Sequence, residues 1–368
     1  MRIAHIAPSW LPVPPKSYGG TEYVIYHLVE EQVAQGHHVT LFAPEDTHTS
    51  ARCISFFPRS LIESGVPWHA HLKAFYHLFQ SVDYLKRHTQ EFDILHLHLS
   101  LASDMYLFPL IQDLSLPTIT TLHSQFPFDR YEDGQDGQQG DADHYYMQWL
   151  AKMPMVAISQ SAREQERAKF PLNFVAVVHH GIDLGEFPLP TRQPDDFFVW
   201  LGRCVPEKGV LQAIEACKRA GARLILAGIV DDNIPQAQEY FHNEIEPHLD
   251  GEQIRHIGPV DRKKRNELLD QARALLNPLQ WEEPFGMVMI EAMATGCPVI
   301  AFRRGSAPEI ITSDEVGFLV DNVEEMAQHM DRISTIDRKA VRQHVETHFS
   351  AAAMTKSYLR VYQDICGA

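Results

Sequence analysis

The short apolar run at 274–279 passes almost directly into W-E-E-P-F-G-M-V-M-I-E-A-M-A-T-G at 281–296, and that passage limits the fold more than any other. Six residues of this character suit a buried strand better than a helix. Residues after Pro284 are rich in Met and Ala, and they end at Gly296-Cys297-Pro298. Proline is tolerated in a first helical turn, and Gly followed by Pro suits a helix end. The passage therefore predicts a strand, a tight turn and a helix beginning near Phe285. A strand that feeds a helix is the unit of a parallel α/β sheet.

Two carboxylates frame the predicted helix: Glu283 in the turn before it, and Glu291 about two turns inside. The first amides, from Phe285, Gly286 and Met287, have no intrahelical partner and sit at the positive end of the helix dipole. Such a terminus takes an anion, and Gly286 leaves the backbone open to close approach. An anion on the amides with acceptors on either side suits a nucleotide-sugar. The same residues also fit a core helix with an acidic first turn, which is ordinary helix chemistry.

The strand-and-helix alternation runs the length of the chain. Residues 2–7 read as a strand, 23–35 as a helix with Val24, Leu28 and Val33 near one face, and 39–43 as a second strand. This βαβ opening implies a parallel sheet. A helix is predicted at 71–88 and strands at 93–99, 117–123, 155–159 and 174–179. Residues 184–196 hold three prolines and no periodicity, and then the pattern restarts with strands at 197–201, 223–227, 254–258, 274–279, 298–302 and 317–320. The expected layout is a first domain at 1–184, a linker at 185–196, a second domain at 197–348, and a closing helix at 349–368 that crosses back to the first domain. Two such α/β halves make a central cleft at which strand ends and helix N-termini are aimed.

Composition excludes several classes. At 368 residues the length suits two domains, and 45% hydrophobic residues let each bury a core. The net charge of −16 argues against nucleic acid or an anionic membrane as the main partner. The basic run Arg262-Lys263-Lys264-Arg265 reads as a solvated helix start. The five cysteines are scattered with no CxxC, which suits reduced thiols in a cytoplasm rather than disulfides or a zinc site. The sequence shows no signal-peptide core and no run of transmembrane length. The expected location is cytoplasmic or peripheral at a membrane.

In the first half, Gly19-Gly20 precedes the first helix, where glycines let a backbone touch a phosphate or sugar; on its own a diglycine reads first as a plain turn, and G-x-G-x-x-G is absent. His123 ends a strand, where ligands of open sheets bind. His96 and His98 alternate within their strand and share a face, but no third metal ligand is apparent, so they read as structural. The polar, glycine-rich stretch 130–143 is expected to be a mobile loop.

In the second half, Arg203 and Lys208 lie five residues apart in a loop bounded by Gly202 and Gly209 and stiffened by Pro206. A fork from Arg, a point charge from Lys and close backbone approach are what a diphosphate needs. A strand-to-helix turn with surface cations is the alternative. No Ser or Thr follows the lysine, so the loop is not a Walker A motif.

G-R-x-x-P-x-K-G at 202–209 followed by E-x7-E at 283–291 strongly resembles the retaining glycosyltransferases of family 4, which have the GT-B fold of two Rossmann-like domains facing a central cleft. Gly19-Gly20, T-L-H at 121–123, A-I-S at 157–159 and H-G-I-D at 180–183 match as well, so the resemblance covers nearly the whole chain. It implies that Arg203 and Lys208 bind the donor diphosphate and that Glu283 binds hydroxyls of the transferred sugar. It also implies that the amides of Phe285, Gly286, Met287 and Val288 hold sugar and phosphate, and that Glu291 holds the ribose. Gly20 would approach the diphosphate, His123 would contact the sugar near its anomeric centre, and Val260 would lie beside the base. Glu22 and Gly19 are candidates on the acceptor side. The implied reaction moves a hexosyl unit from a nucleoside-diphosphate sugar, a UDP-sugar first, to an acceptor hydroxyl with retention, without a metal or other cofactor. The acceptor is a small molecule, a glycan or a lipid-linked group. Hydrolysis or phosphorolysis in the same cleft, epimerisation, and donor sensing without transfer are the competing readings.

Overall fold

The computed structural model describes residues 1–16, 19–67, 70–126, 147–189, 193–231 and 234–367. The expected loop at 130–143 lies outside these, as do residues 190–192 of the expected linker. The chain divides into two compact units: Met1–Gly181 with Ala351–Ala368, and Ile182–Ser350.

The first unit is built on seven strands: β1 (Arg2–Ile6), β2 (His38–Phe42), β3 (Arg52–Ile54), β4 (Ile94–Leu99), β5 (Thr118–Leu122), β6 (Met155–Ala157) and β7 (Phe174–Val177). They form one parallel sheet in the order β3-β2-β1-β4-β5-β6-β7. Every residue of β4, I-L-H-L-H-L, is buried, as expected where both faces of a parallel sheet are covered. Alternation then sorts the faces. Leu95 and Leu97 join Ala4 and Ile6 of β1 in an apolar layer with Leu78, Val82 and Leu85 of the helix His71–Arg87. The other face carries His5, His96, His98 and Thr121, whose register neighbours pair His5 with His96 and His98 with Thr121. Gln32 of the helix Gly20–Ala34 and Tyr358 and Tyr362 of the helix Ala351–Cys366 bond to this polar face. The 3-residue β3 has no apolar run to announce it, and the sequence pattern did not predict it.

The second unit holds β8 (Phe198–Arg203), β9 (Leu224–Ile229), β10 (Ile254–His256), β11 (Leu275–Asn277), β12 (Val299–Phe302) and β13 (Gly317–Val320), again all parallel, in the order β10-β9-β8-β11-β12-β13. Phe198, Trp200, Leu226, Leu276 and Ile300 are buried along it. The strand order reverses between β8 and β11, the kind of switch point outside which open α/β sheets bind ligands. Among the described residues, no helix is long and apolar enough to cross a membrane.

Candidate functional site

Both motifs singled out in the second half leave the carboxyl ends of the two strands at that switch point. β8 runs on to Arg203, so this residue closes a strand rather than sitting in a loop. A 3-10 turn, Pro206–Lys208, then leads through Gly209 to the helix Val210–Ala220. Gly209 has φ +70, and a Cβ there would lie 1.9 Å from the carbonyl oxygen of Pro278. Only glycine lets the two loops approach this closely. Gln280 N donates to Glu207 O at 2.8 Å, which ties the two loops by backbone as well, and Trp200 Nε1 of β8 donates to Lys208 O at 3.1 Å and steadies the turn.

Lys208 Nζ forms an ion pair with Glu283 Oε2, although the two residues are 75 apart in sequence. Trp281 Nε1 donates to the same carboxylate oxygen at 3.1 Å, and the Lys208 ammonium lies 5.0 Å from the Trp281 ring centre. The exposed Arg203 side chain makes no hydrogen bond or ion pair among the described residues. The cations assigned to one ligand group are thus in different states: Lys208 is held by Glu283, and Arg203 is open to solvent.

The predicted helix start needs correction. The helix is Met287–Ala294, because Gly286 takes φ 84, a left-handed conformation that a helix cannot include. Phe285 lies before it and is buried, with its carbonyl accepting from Ser306 Oγ. The helix amides that start free are therefore those of Met287 and Val288, since Met289 N already donates to Gly286 O at 3.0 Å. Glu291 is the fifth helical residue, a little over one turn in rather than two.

Glu291 is largely buried and accepts from Arg265 Nη1 at 3.0 Å. Burial raises its carboxyl above the usual range, while Arg265 and Arg262 oppose the rise. Arg262 pairs with Glu186 at 2.6 Å, and burial lifts Glu186 to about 7. The run 262–265 is therefore not simply solvated. Lys263 and Lys264 are exposed, whereas Arg262 and Arg265, three apart on the helix Arg262–Gln271, turn inward to carboxylates. That spacing was the available signal. Val260 is half-buried, just before Asp261, the residue that caps this helix.

In the first unit, Gly19 precedes the helix Gly20–Ala34, and Glu22 lies in its first turn. A Cβ on Gly20 would meet nothing within 4 Å. Glu22 is buried, and burial raises its carboxyl to about 7, with nearby Asp104 adding to the rise. His123 follows β5, anchored by its N–H to Leu99 O at 2.8 Å, and stacks on His180 at 5.2 Å between ring centres. His98 Nδ1 lies 2.9 Å from His123 Nε2. The reading of His96 and His98 as lacking a third ligand is also corrected. His5, from a strand 91 residues earlier than His96, brings a third ring, with one ligand atom of each within 4.8 Å of the others. All six ring nitrogens of this trio already have hydrogen-bond partners in His98, Gln32, Tyr362, Thr121, His5 and His123, so the cluster is closed as a network without an ion.

Comparison with known proteins fits this arrangement. Two family models match in tandem: glycosyltransferase family 4 over residues 18–186 and glycosyl transferases group 1 over residues 185–346. A glycogen synthase of Mycobacterium tuberculosis is 26% identical over 237 residues, 61% of this chain and 55% of that protein, so the match spans about half of that relative. A phosphatidyl-myo-inositol mannosyltransferase of Mycolicibacterium smegmatis is 23% identical over 395 residues, 100% of this chain and 95% of that one. Among solved structures, a sucrose-phosphate synthase from Thermosynechococcus elongatus matches at TM-score 0.79 and 19% identity, covering 100% and 99% of the two chains. HepE of Anabaena, in a complex with UDP-glucose, matches at TM-score 0.71 and 16% identity over 99% and 100%. Two parallel-sheet, Rossmann-like units with such neighbours define the GT-B fold. The two tandem matches together run from residue 18 to residue 346, and the chain belongs to the family 4 glycosyltransferases.

Proposed function

We propose that the protein transfers a hexosyl unit from a nucleoside-diphosphate sugar, with UDP-sugars first, to an acceptor hydroxyl with retention of anomeric configuration. The observation that carries this reading is the meeting of Lys208 with Glu283 at the switch point of the second unit, beside an open Arg203 and a glycine-led helix start. In this reading Arg203 and Lys208 bind the diphosphate, and the amides of Phe285, Gly286, Met287 and Val288 hold phosphate and sugar. Glu283 accepts from sugar hydroxyls, Glu291 from the ribose, and Val260 lies against the base. In the same reading Gly20 approaches the diphosphate and His123 the sugar, with Glu22 and Gly19 as the acceptor candidates.

The bond between the anomeric carbon and the phosphate oxygen breaks, and its electron pair leaves with the diphosphate. The acceptor oxygen bonds to the same face of that carbon, and its proton passes to the departing phosphate. Charge grows on the leaving group, so fixed cations and amides aimed at it are the main catalytic resource. Those cations belong to the chain, and the proposal calls on no metal. The Anabaena neighbour bound to UDP-glucose supports the donor class.

A thermal-shift screen over UDP-, GDP- and ADP-sugars tests the donor, since a ligand that binds the native state raises its melting temperature. The selected donor is then incubated with an acceptor panel and the product anomer read by NMR. One base class should stabilise the protein selectively, and the glycoside should keep the donor's anomeric configuration. Diphosphate release without any glycoside points to hydrolysis, and binding without turnover points to a sensor. An inverted product overturns retention.

A further inference from the structure

The polar face of the first sheet carries a chain of side chains whose hydrogens are all determined from one end. Gln32 Oε1 lies 2.9 Å from His5 Nε2, His5 Nδ1 lies 3.0 Å from His98 Nε2, and His98 Nδ1 lies 2.9 Å from His123 Nε2. Gln32, His5 and His98 are buried, and burial holds His5 at about 4 and His123 at about 3, with His98 also lowered. Each ring is therefore neutral near pH 7 and carries a single N–H. A carboxamide oxygen can only accept. His5 must then place its hydrogen on Nε2, which leaves Nδ1 to accept from His98 Nε2. His98 Nδ1 in turn accepts from His123 Nε2. The end of the chain is His123 Nδ1, a buried acceptor with no partner among the described residues.

A second branch leaves the other end of Gln32, and the sense of both is fixed at His123. Gln32 Nε2 donates to the Tyr362 hydroxyl at 3.1 Å, and Tyr362 donates to His96 Nδ1 at 2.8 Å. His96 Nε2 donates to Thr121 Oγ1 at 2.7 Å, which bonds Tyr358 at 2.8 Å. Turning the amide over would reverse every hydrogen in both branches and leave a buried, orphaned N–H on His123. Orphaned buried donors are rarer than under-used acceptors.

We propose that Gln32, His5 and His98 are positioning residues that lock His123 as its Nε2–H tautomer, so that Nδ1 offers a lone pair to a hydroxyl of the transferred sugar. This rests on the reading of His123 as a sugar contact and narrows it. The group met there must donate a hydrogen, so a sugar carrying an ionised carboxylate at that position is refused.

The tautomers are read directly by two-bond nitrogen–proton NMR of the full chain labelled with nitrogen-15, without ligand, at pH 7.5. His5, His98 and His123 should all show the Nε2–H pattern. An Nδ1–H pattern, or an averaged one, for His123 overturns the proposal. Activity gives a second reading. His98→Leu removes the acceptor for His123 and should lower kcat about tenfold or more, with the donor KM changed less than twofold, as loss of a tautomer lock does elsewhere. In His98→Asn the carboxamide oxygen falls near the position of Nδ1 and should restore kcat to within about threefold of the parent. Equal losses in the two variants at matched melting temperatures reduce His98 to packing and overturn the proposal. Should the parent transfer nothing from any donor while the Nε2–H pattern is present, the sugar contact falls and the tautomer lock stands.

Discussion

The two units keep polar groups away from water in opposite ways. The first unit stacks neutral rings: His5, His96, His98 and His123 bond to one another and to Gln32, Thr121 and Tyr362. The second sets charge against charge: Lys208 with Glu283, Arg265 with Glu291, and Arg262 with Glu186. Burying an ion unpaired is far costlier than burying a bonded neutral group. A neutral network is directional and holds its hydrogens in place. An ion pair is exchangeable, since an arriving anion can take the cation from its carboxylate. The first arrangement suits orientation and the second suits the capture and release of a charged ligand.

Acid should break this comparison most strongly. His5 and His77 sit at about 4 and His123 at about 3, against an ordinary 6.5, because burial disfavours the charged ring. A depressed folded value means stability that is present above about 6.5 and lost as pH falls toward 4. For His5 alone the shift corresponds to roughly 3 kcal/mol. Raised carboxyls occur in both units: Glu22 at about 7 and Asp104 at about 6 in the first, Glu186 at about 7 and Glu291 raised in the second. Their contribution is present at low pH and lost as pH rises toward 7. Hydrogen exchange followed by mass spectrometry, corrected for intrinsic rates, should therefore show β1, β4 and β5 losing protection between pH 6.5 and 4 before β8 and β11. Simultaneous loss in both units would mean that the histidine layer is not the acid-labile element.

Lys208→Ala tests the exchangeable side. It should lower turnover by about 10²–10³, as removal of one preorganised charge donor does, with the fold retained because Glu283 keeps the Trp281 indole. Steady-state assays beside circular dichroism melts decide it, and unchanged turnover removes the diphosphate role. Glu291→Gln should be milder, weakening donor affinity about tenfold by calorimetry while kcat changes little. An unaltered dissociation constant counts against the ribose assignment.

The parallel sheets, the two motifs and their chain order could all be read from the sequence, because apolar runs and glycine-bounded turns are local signals. The resemblance put Lys208 and Glu283 at one donor site in separate roles; their ion pair was not legible, since no local rule joins residues 75 apart. The helix start was missed because Pro284 and the Met-rich run look continuous, and the left-handed turn at Gly286 has no sequence mark beyond a glycine. The inward turn of Arg262 and Arg265 was hidden inside a charge run that usually faces solvent. The third histidine was missed for a topological reason. His5 and His96 meet only because β1 and β4 are neighbours, and strand order is not written in a single sequence.

The smallest effect is expected from the diglycine, and it separates a role in the fold from a role in binding. A Cβ on Gly19 would lie 2.8 Å from Pro15 Cβ and 2.9 Å from both Glu22 Oε2 and Leu11 Cδ1. Gly19→Ala should therefore lose about 1–3 kcal/mol of stability through overpacking. Gly20 opens the helix with free space around the same position, and alanine is the better helix former by about 1 kcal/mol. Gly20→Ala should melt no lower than the parent. Its methyl group would stand where the diphosphate is proposed to approach, so donor affinity should fall several-fold. Gly20→Ala with undiminished donor affinity would take this glycine out of the site and leave the first helix start as scaffold alone.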